Sequence, residues 1–560
     1  MAKGQVGFRL ETKYLNSNSY SMNMAWKSKL GKSDFKGRRN MTKVQGGLSR
    51  RQFLTATVGA TALSAASVLM VSTVRAATPK RGGTLRFGVG HGSSTDSLDP
   101  GTYDNNFTIA LGYMLNNHLA EISADGELTG EVAESWVSTP DAATWTFKIR
   151  KGIVYHDGRT LTAEDVVASV NYHRREGSKS AALALLKPIK DIKIDGPDKV
   201  VFSLNAGNAD FPYVISDYHI PILPSKDGTI VADTGIGCGP YKLEKWQPGI
   251  QARLTRNANY WKTDRAHFDA IEMTAIVDAT ARTAAMMSGT IDVMDRCEFK
   301  TVSFLEKNPA VSVKSISGNQ HYTFPMLTNK APFDDPHVRT ALKLACPREQ
   351  MVKTILQGHG RVGNDHPIGS GMPFYAAGLP QRTQDLDKAK WHLKQSGLTS
   401  LNVQLSAADA AFSGAVDAAE LYSQAAAKGG IKIDVERVPN DGYWANVWTK
   451  KPWCACYWAG RPTVDAMLSL AYLPDGAWND TNWKNPRFVE LVTAGRSELD
   501  PKKRAQIYFD AQEILSNDGG TVVPMFADYV FATSNKIKHD KIASNWDMDG
   551  QKFSERWWFG

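Results

Sequence analysis

Between Tyr443 and Trp483 the chain gathers Tyr443, Trp444, Trp448, Trp453, Tyr457, Trp458, Arg461, Trp478 and Trp483, with Cys454 and Cys456 among them. Six of the fifteen tryptophans fall in this stretch. A buried indole brings an N–H that needs a partner, so a plain core is filled more simply by Leu or Val. One chemistry such a stretch can do is ligand capture. Rigid aromatic faces would cover the apolar body of a small molecule, while Arg461 reads a carboxylate with a bidentate fork. The other reading is a Trp-rich core and rim whose arginine is neutralised by a neighbour such as Asp465. Trp444 and Trp448, at i and i+4, would share one helix face, as a core pair or as a stacking platform.

Bond-making chemistry finds no comparable foothold. The chain has no Gly-x-Ser-x-Gly elbow, no His-Glu-x-x-His, no phosphate loop and no Cys-x-x-Cys. Its twelve histidines are scattered, and pairs such as His359 and His366 lack a spacing that forces a shared metal. No cofactor is expected. The five cysteines, Cys238, Cys297, Cys346, Cys454 and Cys456, are too dispersed and too odd in number for a disulfide framework. Buried core thiols are the first expectation, with a local disulfide or a metal as alternatives.

Charge argues against a nucleic-acid or membrane-surface role for the body. Of the 66 Lys/Arg and 57 Asp/Glu, residues 1–76 hold thirteen and two, which leaves the remainder at about −2. That basic leader reads as an export signal. Ser49-Arg50-Arg51-Gln52-Phe53-Leu54 resembles the twin-arginine consensus, and Leu54 to Val74 is apolar but diluted by Gly, Ser, Thr and Ala. Val74-Arg75-Ala76 offers small residues to a signal peptidase, so cleavage is expected after Ala76, with a retained membrane anchor as the alternative. Residues 1–40 show no apolar periodicity. They form either a long n-region or an overlong start ahead of Met41.

At 560 residues the chain exceeds one hydrophobic core. Strand-like runs such as Thr84 to Val89, Thr144 to Ile149, Leu401 to Ser406 and Ile431 to Arg437 alternate with helical ones near Phe107 to Leu119, Ala410 to Lys428 and Asp500 to Leu515. This is an α/β pattern. Thr162 before Ala163-Glu164-Asp165 is a helix start, with a capping hydroxyl and acids suited to the dipole. His156-Asp157-Gly158 reads as a turn closed by its own side chain rather than as a catalytic pair.

The order of several motifs carries a resemblance. Trp136, Thr144-Trp-Thr-Phe-Lys-Ile149, His156-Asp-Gly158 and Leu161-Thr-Ala-Glu-Asp-Val166 come first. Gly237-Cys-Gly-Pro-Tyr-Lys242, Arg256-Asn-Ala-Asn-Tyr-Trp261, Ser288 to Val293 and Ala331 to Leu342 follow. From about 84 to 530 this order resembles the family 5 extracellular solute-binding proteins, the dipeptide, oligopeptide and nickel receptors of ABC importers. The resemblance implies a two-lobed α/β clamshell with an inserted domain, of the three-domain, cluster C type. Lobe I would take 77–110, 220–320 and 525–560, the inserted domain 111–219, and lobe II 321–524. It also implies a periplasmic monomer that captures a small molecule by lobe closure and hands it to an ABC permease unaltered.

In the family's peptide receptors a tryptophan followed three residues later by an aspartate holds the peptide's amino terminus. Here Trp458-Ala-Gly-Arg461 puts an arginine in the aspartate's place. A guanidinium facing an ammonium group would cost several kcal/mol. The expected ligand is therefore anionic: peptide-like, opine-like or an acidic sugar, with Arg461 on its carboxylate and Trp458 as a wall. A metal chelate or haem receptor and an exported enzyme are the rival readings. Asp99 and Tyr103, in the Ser93 to Asn106 loop, would edge the cleft or simply pack the loop. Asn329, past the expected lobe crossover, would offer an amide, and Trp444 a ring.

Overall fold

Two antiparallel strands, Val311–Pro325 and Thr521–Ser534, run for fifteen and fourteen residues, against about six for a usual strand. Strands of that length serve two cores. The computed structural model describes residues 78–440, 443–476 and 478–560; the twin-arginine pattern and its cleavage position lie outside the described residues.

Toward one end Thr521–Ser534 pairs with Val293–Met294 and through it reaches Thr84–Val89, which alternates as its sequence requires, with Leu85, Phe87 and Val89 buried. That strand pairs in parallel with Ala270–Ala275 and with Val293–Met294. Gln251–Arg256 and Tyr241–Gln247 extend the sheet outward. Its core takes in Phe107, Leu254, Phe531, Phe553 and Trp557, so the last residues of the chain close the first lobe. Toward the other end the long strands join Gly360–Val362 and Cys456–Trp458. There Tyr322, Phe324, Val522 and Met525 share a core with Leu405 and Trp453. A parallel pair, Leu401–Ala407 and Ile431–Arg437, is bridged by the helix Ala415–Ala427 and packs into that second core.

The change of core falls at a break in register. Ser317 pairs with Asp528, and the next pair is His321 with Phe526, so Gly318 to Gln320 bulge out of the ladder. Gly318 lies against the Tyr529 ring, in space that a Cβ would need. A separate four-stranded antiparallel sheet, ordered Ala133–Ser138, Thr144–Ile149, Lys199–Leu204, Ile189–Ile194, has its own core of Trp145, Phe147, Phe202 and Phe211. Its helix, Ala163–Arg174, opens as the sequence suggests, the Thr162 N–H donating to the Asp165 carboxylate at 2.8 Å. The turn at Asp157 is closed by its own carboxylate, which accepts from the Arg159 N–H at 3.1 Å. All five cysteines are buried and free. Among the described residues no helix is long and apolar enough to cross a membrane.

Candidate functional site

The short strand Cys456–Trp458 pairs with the long strand at the bulge, His321 opposite Trp458 and Tyr322 opposite Tyr457. Alternation then sends the two aromatics apart. Trp458 is buried, whereas Tyr457 is 40% exposed. Beyond the strand Gly460 adopts a left-handed φ of 87°, and a Cβ there would meet the Asn319 Cβ at 2.7 Å. This tight passage aims Arg461. Gly460→Ala should therefore lower thermal stability by about 1–3 kcal/mol through strain and clash, and a denaturant melt beside wild type measures it.

The Arg461 guanidinium carbon lies 5.8 Å from the Trp458 ring centroid and 5.4 Å from that of Trp478, within range of cation–π attraction. Among the described residues its one side-chain hydrogen bond runs from Nη1 to the Gly460 carbonyl at 2.6 Å. Asp465 is not its partner. That carboxylate accepts both its short contacts, 3.1 Å each, from Arg496 Nε, and is bonded by the Ser469 hydroxyl at 3.0 Å. Helix Val464–Ala471, capped by Thr463, turns Asp465 toward Arg496. Among the described residues no Asp or Glu oxygen lies within 4.0 Å of Arg461.

The rings around this cation touch edge to face or tilted. Centroid distances are 5.9 Å for Trp458 and Trp478, 6.4 Å for Trp448 with each of these, 5.8 Å for Trp444 and Trp448, and 5.7 Å for Trp444 and Tyr457. Trp444 and Trp448 do not share a helix face. The helix spans only Tyr443–Asn446, and Thr449 follows with a left-handed φ of 63°. The two rings meet because the turn folds them together. Behind them the buried Asp480 accepts from the Trp448 Nε1 at 3.1 Å.

Tyr218, whose charge bears on Arg461, packs on His219 at 3.9 Å with the ring planes tilted and meets Trp546 at 5.1 Å. Burial lowers the Arg461 pKa, and Tyr218 and Asp217 oppose that in part. Asp217 is itself engaged by His219 Nδ1 at 2.6 Å. Asp217, Tyr218 and His219 lie more than two hundred positions before Arg461 and Trp546 lies after it, and sequence reasoning missed all four. The acid, aromatic, imidazole run Asp217-Tyr218-His219 was the signal available.

Three other expected site residues make polar contacts of their own, and the Tyr103 carbonyl meets His219 Nε2 at 2.9 Å. Tyr103 is buried, its hydroxyl donating to the Leu98 carbonyl at 3.0 Å. Asp99 caps the turn Pro100–Thr102 through the Gly101 N–H at 2.9 Å and accepts from the Tyr172 hydroxyl at 2.6 Å. Both are consumed by loop packing, the alternative the sequence left open. Asn329 is exposed, its amide oxygen turned to Asn482 Nδ2 at 3.4 Å. As for metals, Glu121, Glu131 and Glu555 bring ligand atoms within 4.8 Å of one another, but the Lys262 and Lys552 ammonium groups sit among them. Those cations already neutralise the carboxylates a metal would need.

Residues 127–479 match the family model for bacterial extracellular solute-binding proteins, family 5 Middle. The chain is similar to the probable D,D-dipeptide-binding periplasmic protein DdpA of Escherichia coli strain K12, 26% identical over 487 residues, which cover 80% of this chain and 90% of that one. Among solved structures, HbpA2 from Haemophilus parasuis has a TM-score of 0.74 at 20% identity, covering 84% of this chain and 99% of its own. AgaA in complex with agropinic acid, from A. tumefacien R10, has a TM-score of 0.68 at 21% identity, over 85% of this chain and 99% of its own. These likenesses establish the α/β two-lobed binding-protein fold.

Proposed function

This chain belongs to the bacterial extracellular solute-binding proteins of family 5, and from that premise we propose that it is the periplasmic receptor of an ABC importer for a small carboxylate-bearing solute. It binds and delivers that solute without chemical change. The observation that carries the ligand class is Arg461: a half-buried guanidinium, bonded among the described residues only to its own backbone neighbour and set against two indole rings. Among the described residues no carboxylate reaches this cation within 4.0 Å, and a ligand carboxylate would do so through two parallel N–H bonds. Ordinary peptide capture by the amino end would set like charges together. The ring faces of Trp458 and Trp478, with Tyr218 and Trp546, would cover the apolar body.

We place lobe I at 77–110, 220–320 and 525–560, the inserted domain at 111–219 and lobe II at 321–524. The change of core partners between Ile316 and Tyr322 supports the boundary at 320/321, whereas Met525 and Ala527 still pack in the second core and Ile220, Ile222 and Cys238 pack with the inserted sheet. Export by the twin-arginine route, with cleavage after Ala76, belongs to the same proposal.

A native mass spectrum of protein purified without denaturation tests this reading. It should show a retained acidic small molecule, and the same spectrum reports any metal carried with it as a chelate. Small-angle scattering should show a smaller radius of gyration when that molecule is restored to stripped protein, because a ligand that bridges the lobes favours the closed population. An identical scattering curve with and without it would overturn capture by closure, and a retained ligand lacking any anionic group would overturn the role given to Arg461.

A further inference from the structure

We propose that Asp480 is the positioning residue of the aromatic wall, holding the Trp448 indole by its N–H and so fixing the ring faces that surround Arg461. The proposal rests on the reading of Trp458 and Arg461 as the ligand wall. Asp480 touches neither the guanidinium nor the open face. It stands behind the rings, 4% exposed, at 3.1 Å from Trp448 Nε1. Trp448 is the hub of the cluster, within 6.4 Å of Trp444, Trp458 and Trp478. A rotation of that one indole therefore shifts the two rings against which Arg461 is set.

The surroundings of Asp480 explain how a carboxyl survives there. Facing it are the Trp448 indole from the turn after Tyr443–Asn446, the Cys456 thiol and Trp458 indole of the short strand, Cys454 just before that strand, and Tyr472 after helix Val464–Ala471. Among the described residues no Lys, Arg or His nitrogen lies within 4.0 Å of it. Burial pushes its pKa up to about 7, while hydrogen bonds from Trp448, its own N–H, Cys456 and Trp458 pull the other way. The indoles offer only N–H, so they support the ionised form, whose two oxygens accept. A protonated carboxyl would present an O–H to neighbours that donate. The clamp is thus tight above neutrality and loosens below it.

Such a carboxyl also lowers stability. Its folded value lies above the ordinary value of 3.8, so the native state binds a proton more tightly than the unfolded chain. The penalty is absent in acid, grows as pH rises from about 4 to about 7, and is full above that. Asp480→Asn should therefore melt no lower than wild type at pH 8, which separates positioning from folding.

Near-ultraviolet circular dichroism of the ligand-free mature protein, titrated from pH 5 to 9, tests the assignment. Wild type should show a tryptophan transition with its midpoint near 7. Asp480→Asn should lose the transition, and Trp448→Phe, which keeps the ring but not the N–H, should shift the midpoint upward. A transition that persists unchanged in Asp480→Asn, or none in wild type, would overturn the clamp. Iodide quenching of tryptophan fluorescence separates this from the ligand-wall reading. Loss of iodide preference in Arg461→Ala, with the circular dichroism transition intact, supports both. Unchanged iodide quenching in Arg461→Ala counts against the anion site alone.

Discussion

Glu131→Ala is expected to cost about 3–5 kcal/mol of folding free energy, the usual penalty for stripping one partner from a buried ion network, read as a fall of roughly 5–10 °C in the apparent melting temperature. Glu131 is fully buried, yet each of its oxygens is occupied. Oε1 accepts from Lys262 Nζ at 2.6 Å, Lys552 Nζ at 2.7 Å and Asn117 Nδ2 at 2.8 Å, and Oε2 from the His118 N–H at 2.6 Å. Glu555 and Glu121 complete the set, so two ammonium groups share three carboxylates. The network ties the strands around the inserted sheet to the C-terminal segment that closes the first lobe. Removing Glu131 leaves both lysines desolvated with less than their counter-charge and orphans two further N–H donors. Glu131→Gln should lose less, because the amide oxygen still accepts.

The same network sets the acid limit of the fold. Burial alone would raise the Glu131 and Glu555 carboxyls, but Lys262 and Lys552 hold Glu131 well below its ordinary value and bring Glu555 to about 2. Their folded values lie below the unfolded ones. The stability they contribute is therefore complete above about pH 4.5 and is lost as pH falls from there toward 2. Glu555→Gln should flatten that part of a stability-against-pH curve. Unchanged acid sensitivity would remove these carboxylates from the account.

Local pattern was legible in the sequence where one strand or helix meets one core. Thr84–Val89, Thr144–Ile149 and Ile431–Arg437 lie where alternation and β-branched content put them. Reading failed where a backbone detail or a distant segment decides. The pair Trp444 and Trp448 looked helical by spacing, but four residues of helix and a left-handed Thr449 ended that face. Asp99 and Tyr103 looked like cleft residues by position, yet Tyr172 and Leu98 take their polar atoms. Asp465 looked like a neutraliser of Arg461 because it is near in sequence; a turn and a helix cap send it to Arg496 instead. The Lys552 to Glu131 contact spans 421 positions, and no local pattern marks it. The two-lobed architecture was legible through the order of several weak motifs, each of them scaffold rather than site.

Arg461→Ala should weaken binding of the retained acidic ligand by about 2–5 kcal/mol, some thirtyfold or more in Kd, with most of the change in the dissociation rate. The size follows from partial desolvation: the half-buried guanidinium is set against two indole rings, where a bidentate carboxylate pair is less screened than in bulk water. Folding should be nearly untouched, since among the described residues the side chain's one bond is to the adjacent Gly460 carbonyl. Arg461→Lys should recover only part of the affinity, because an ammonium is a point charge without the fork. Arg461→Asp goes further. It restores the tryptophan and aspartate spacing of peptide receptors in a place where Asp217 already adds negative potential. Two acids there would repel the original ligand and favour an ammonium group. Calorimetric titration of the three variants against the native ligand and a dipeptide measures each step. If Arg461→Asp kept its affinity for the acidic ligand, the cation would have no part in recognition, and the charge reversal at position 461 would be a feature of packing alone.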